Sequence, residues 1–114
     1  MNETTTPPWA VTDERIKVAV ERLVVAARPA RVVLFGSHAR GDADSHSDVD
    51  LMVVETVVPN RFEEMVRLRG TLDGMLLPVD LLVVSEEEFA KRSQVPGTVE
   101  HAAAREGRVL YDAA

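Results

Sequence analysis

Gly36-Ser37 follows the apolar run Arg31-Val32-Val33-Leu34-Phe35, and ten residues later comes Asp48-Val49-Asp50. These residue types at this spacing could do phosphate chemistry. Side chains alternate along a strand, so Asp48 and Asp50 share a face, two positions apart. Carboxylates held that close repel one another unless a cation lies between them. Oxygen-only ligands favour magnesium or manganese over zinc. Gly36 can take a positive φ and let the backbone approach a phosphate closely. The N–H groups of a turn that leads into a helix, together with the Ser37 hydroxyl, can hold that phosphate. A helix N-cap serine is the plainer reading of Ser37, and both readings can hold at once. A phosphate cradle facing a dicarboxylate metal site is what nucleotidyl transfer requires.

A third acid stands further along. Asp80 interrupts the otherwise apolar run Pro78-Val79-Asp80-Leu81-Leu82-Val83-Val84, with 29 residues between it and Asp50. Arg40 lies about one helical turn beyond Ser37, where it could pair with a phosphate or with Asp48, or form a structural salt bridge. His38 reads as a solvent-exposed or base-stacking residue rather than a ligand. Asp42-Ala43-Asp44-Ser45-His46 imitates the start of a calcium-binding loop. Its sixth position is Ser47 and its twelfth Val53, where glycine and glutamate are needed, so that reading fails. His38, His46 and His101 lack the paired spacing of a zinc site.

Gly-Ser, the ten-residue spacer, Asp-x-Asp and a later acid on a strand together resemble the nucleotidyltransferase superfamily that includes DNA polymerase beta, the aminoglycoside nucleotidyltransferases and poly(A) polymerases. The match covers residues 12 to 111. The spacer and the small size look most like the minimal nucleotidyltransferase (MNT) proteins, the antitoxin type paired with HEPN-domain ribonucleases. The resemblance implies a polymerase beta-like fold with its site on the open face of a mixed sheet. It implies two Mg2+ ions, or Mn2+, held by Asp48, Asp50 and Asp80. ATP is the implied substrate, with Gly36, Ser37 and Arg40 as its candidate binding residues. The implied reaction moves AMP to a hydroxyl, a tyrosine of a HEPN toxin, and so silences it.

Two other readings compete. The chain could inhibit a toxin by occlusion alone, although pure binding does not need three costly carboxylates together. It could also modify a small molecule such as an antibiotic, with a separate subunit supplying the substrate-binding part that 114 residues cannot hold.

Composition sets the frame for these elements. A chain of 114 residues with 46% hydrophobic content suits one packed domain, expected over 12–114 behind a flexible arm at 1–11. Cysteine is absent, which excludes disulfides and thiolate metal sites. The net charge of −6 speaks against direct DNA binding and suits a basic partner. No apolar stretch reaches the ~18 residues of a membrane span, and Met1 to Val11 does not read as a signal peptide. A cytoplasmic protein is expected.

The pattern predicts a helix from Thr12 or Asp13 to about 27, with Ile16, Ala19, Val20, Leu23, Val24 and Ala27 as its buried stripe. Strands are expected near 31–35, 48–55 and 78–84, with an edge strand at 108–111. A short helix should begin at Ser37 and end near Gly41, followed by a polar loop at 42–47. A helix over 61–73 should bury Phe62, Met65, Val66, Leu68 and Leu72. Ser85 and Glu88 form a capping box for a helix ending near 91 or 93, and a last helix covers 98–105. The class is α/β (α+β): a small mixed sheet of three to four strands, with helices mainly on one face.

Overall fold

The computed structural model describes residues 10–44 and 47–114. The expected arm at 1–11 therefore falls largely outside the described residues, as do Trp9 and His46. Among the described residues nine elements follow one another: α1 (Asp13–Ala27), β1 (Arg31–Phe35), α2 (Ser37–Arg40), β2 (Val49–Glu55), α3 (Arg61–Gly70), β3 (Val79–Ser85), α4 (Glu86–Arg92), α5 (Val99–Glu106) and β4 (Arg108–Asp112). The four strands form one mixed sheet in the order β3-β2-β1-β4. β1 pairs antiparallel with β2 and with β4, while β2 and β3 run parallel.

Local chemistry accounts for the helix ends. The Thr12 hydroxyl caps α1 by accepting the Arg15 N–H at 3.2 Å. Asn60, Ser85 and Thr98 cap α3, α4 and α5 in the same way, each accepting from the residue three positions on. The serine half of the expected capping box at Ser85–Glu88 is thus present.

Alternation along the strands divides the core between two faces. Val32, Leu34, Leu51, Val53, Leu81 and Val83 pack under Ile16, Ala19, Val20 and Leu23 of α1 and under Leu68 of α3. Val33, Phe35, Met52, Val54 and Val84 face the other way, against Ala103 of α5, with Phe89 of α4 alongside. The two longest helices cover one face, and the shorter pair covers part of the other. Each fully buried Leu or Val side chain contributes about 1.5–3 kcal/mol. Among the described residues no helix is long and apolar enough to cross a membrane.

One expectation is corrected here. α3 stops at Gly70, and residues 71–74 form turns. It buries Leu68, with Leu72 beyond its end and Met65 partly covered, but Phe62 and Val66 are 69% and 54% exposed. The helix lies beside β3 at the sheet margin, so one narrow stripe suffices to seat it.

Gly107 sits where α5 turns back along β1. A Cβ there would lie 2.3 Å from the Ala103 carbonyl oxygen and 2.6 Å from a Val33 methyl. Gly107→Ala is expected to destabilise the fold by about 1–3 kcal/mol through overpacking. In a domain of this size each kcal/mol lowers Tm by about 4–8 °C. A melting midpoint equal to that of the parent protein would overturn this reading of the contact.

Candidate active site

The site is assembled where β1 ends and β2 and β3 begin. Antiparallel register sets Phe35 opposite Asp50, and parallel register sets Asp50 beside Asp80. Asp50 therefore occupies the central strand, with Gly36 just past its partner on one side and Asp80 on the other. Asp50 and Asp80 lie on the face that carries Met52 and Val54, before the part covered by α4 and α5. Asp48 precedes the first ladder pair of β2. It is exposed, as is Asp80, whereas Asp50 is half-buried.

Gly36 takes φ 76° and ψ −155°, a combination that is essentially glycine's alone. Its backbone is pressed against Asp50: a Cβ would fall 2.2 Å from Asp50 Oδ2. Any side chain at position 36 would thus occupy the space of the carboxylate. Ser37 opens α2, whose internal bonds run from the amides of Ala39 and Arg40 to the Gly36 carbonyl and from Gly41 to that of Ser37. The first amides of a helix have no intrahelical partner, so those of Ser37 and His38 are left for other acceptors. The Ser37 side chain makes no hydrogen bond among the described residues.

Electrostatics at this point are unfavourable for the protein alone. The Asp50 carboxyl is held above its ordinary range, first by burial and then by the negative charges of Asp80 and Asp48, while His38 acts in the opposite sense. Among the described residues none of the three aspartates forms an ion pair with Lys, Arg or His. Among the described residues no three His, Cys, Asp or Glu side chains are grouped so that they could hold a metal ion by themselves. The arrangement is an open group of oxygen donors with excess negative charge. Such a donor set fits a hard divalent cation that keeps waters and takes further oxygens from a phosphate.

The other candidate residues fall differently. Arg40 is turned to Asp42 at 3.1 Å and to Glu106 of α5 at 3.3 Å. Asp48 is not among its partners, and Arg40 would have to exchange these carboxylates to meet a phosphate. His38 is neither loose nor fully exposed: its Nε2 lies 3.1 Å from the Ser47 carbonyl. Its place directly after Ser37 hinted at the site, but the carbonyl it meets, nine residues on, had no signal in the sequence.

The chain is similar to several known proteins. The family profile described as "Nucleotidyltransferase domain" matches residues 14–107. A Methanocaldococcus jannaschii protein named "Putative protein adenylyltransferase MJ0604" is 34% identical over 87 residues, spanning 74% of this chain and 80% of its own. The crystal structure of a "putative nucleotidyltransferase" from Sulfolobus solfataricus superposes with a TM-score of 0.64 at 23% identity, over 88% of this chain and 79% of that one. A toxin–antitoxin crystallised with AMP-PNP gives a TM-score of 0.51 at 23% identity, over 84% and 73%.

Proposed function

The chain belongs to the nucleotidyltransferase domain family, and on that premise we propose that it transfers AMP from ATP to a hydroxyl of a partner protein. The acceptor in this reading is a tyrosine of a HEPN-type ribonuclease toxin in the cytoplasm, and the chain acts as its antitoxin. The observation that carries the reading is the contact between the Gly36 backbone and the Asp50 carboxylate, with Asp80 beside it in register. A phosphate-holding turn and a carboxylate group are useful together only when a phosphate and a cation must meet. The 34%-identical relative supports the adenylyl group and a protein acceptor. The toxin–antitoxin neighbour with AMP-PNP has the same fold, and it motivates the choice of ATP and of a toxin.

We read residues 12–114 as the catalytic domain, in which each residue has a distinct task. Asp48, Asp50 and Asp80 would hold the magnesium ions. When bound, those ions neutralise charge on the triphosphate and on the attacking oxygen. Ser37 donates its hydroxyl and amide to the β- and γ-phosphates, and Arg40 stands near enough in sequence to assist after leaving its ion pairs. The acceptor oxygen attacks the α-phosphorus in line, and the bond to pyrophosphate breaks. Asp80, exposed at the sheet margin, receives the hydroxyl proton. Silencing of the toxin then follows from added bulk and charge at its own site.

Intact-mass spectrometry tests this after incubation with ATP, Mg2+ and the product of the adjacent gene. The partner is expected to gain mass in AMP-sized steps, and Asp48→Asn/Asp50→Asn should abolish the gain. A stable complex that never gains mass would replace this reading with inhibition by occlusion.

A further inference from the structure

We propose that His38 is the positioning residue that fixes Asp48 for cation binding, by donating its ring N–H to the Ser47 carbonyl. The proposal rests on the reading of Asp48 as a metal-holding residue. Asp48 precedes the ladder: the pairs of β2 begin at Val49 with Val79 and at Asp50 with Phe35. Sheet hydrogen bonds therefore do not set its backbone. Two other bonds bracket it. On the C-terminal side the Val49 amide donates to the Pro78 carbonyl at 2.8 Å. On the N-terminal side stands the His38–Ser47 contact at 3.1 Å.

The other bonds that Ser47 makes among the described residues are local. Its amide donates to the Asp44 carbonyl, its hydroxyl to Asp44 Oδ1, and the Asp44 amide to its hydroxyl. These join Ser47 to Asp44. His38 joins Ser47 to α2, from the residue next to Ser37. The phosphate-facing turn and the first carboxylate are thereby linked through one imidazole. A carbonyl only accepts, so the ring carries its proton on Nε2. Groups that orient metal-holding carboxylates in this indirect way typically affect affinity or activity about 10–100-fold when removed.

The test reads binding rather than turnover. The full chain is melted at fixed ATP while Mn2+ is titrated, and the concentration giving half of the thermal shift is recorded. His38→Ala is expected to raise that concentration about 10–100-fold. His38→Gln, whose amide reaches about as far as Nε2, should recover most of the loss. His38→Asn, one carbon shorter, should track alanine. If the alanine variant does not fold, the difference between glutamine and asparagine decides the same question. Asp48→Asn/Asp50→Asn serves as the reference and should show no Mn2+-dependent shift. If the reference loses the shift while His38→Ala keeps the parent midpoint, or if glutamine is no better than alanine or asparagine, the role of His38 falls alone. If the reference shifts as the parent does, the metal reading falls and takes this proposal with it.

Discussion

Asp50→Asn is expected to abolish nucleotidyl transfer and, at the same time, to raise the melting temperature of the metal-free protein at pH 7. The two effects have one cause. Metal ions contribute several kcal/mol of charge stabilisation to such a transfer. At 1.36 kcal/mol per tenfold, losing it lowers the rate by about 10³-fold or more. Without metal, however, the Asp50 charge is a cost, because burial and the charges of Asp80 and Asp48 oppose its ionisation. A carboxyl raised above its unfolded value favours the fold fully below that unfolded value, and the benefit is lost as pH rises through the folded one. The parent protein therefore loses it as pH rises above the unfolded value, whereas a neutral side chain would not. Asparagine carries no charge, and its amide can donate to Asp80. Melting curves in EDTA should place the variant a few degrees above the parent at pH 7, and the gap should close near pH 4. With Mg2+ and ATP added, the parent should gain stability and the variant should not. An Asp50→Asn protein that melts below the parent in EDTA at pH 7 would mean that the carboxylates are not in conflict.

The parts of this site that were legible in the sequence are those carried by short-range pattern. Gly36-Ser37 at a strand end, Asp48 and Asp50 in alternation, and a charge breaking an apolar strand at Asp80 each have a local signature. Strand alternation then placed Asp50 and Asp80 on one face, and the parallel register of β2 with β3 made them neighbours. Contacts set by the packing of distant elements were not legible. Arg40 meets Glu106 across 66 positions, and His38 meets Ser47 through a loop whose path no periodicity encodes. The same holds for Glu55 and Glu64, which influence one another's ionisation near Arg67. Burial and the neighbouring acid push Glu55 up to about 8, while Arg67 holds Glu64 below its usual range. Nothing in the spacing of those residues announces the pair. The exposed Phe62 has a parallel origin: a helical stripe is visible in sequence, but its buried width depends on how far the sheet extends beneath it.

Gly36→Ala should lower kcat/KM by about 10²–10³-fold while leaving a folded protein, and the reason separates into two measurable parts. The first is backbone strain: φ 76° with ψ −155° costs a residue bearing a Cβ about 1–3 kcal/mol. The second is collision, since that Cβ would stand 2.2 Å from Asp50 Oδ2 and 3.1 Å from Asp50 Cγ. The struck atom is the end of a short side chain, so the fold can yield by swinging the carboxylate aside. Doing so removes Asp50 from its place beside Asp80. A displacement of about 1 Å in a reacting constellation can cost about 10²-fold by itself. The collision vanishes if Asp50 is also shortened, whereas the strain does not. Stability measured on Gly36→Ala, Asp50→Ala and the double variant should therefore be non-additive, with a coupling of about 0.5–3 kcal/mol in favour of the double variant. Additive losses would mean that Gly36 is required for its dihedral angles alone. A coupling of the expected sign would mean that the glycine is required because the carboxylate needs the room. Gly-Ser and Asp-x-Asp, ten residues apart in the chain, would then be two halves of one contact.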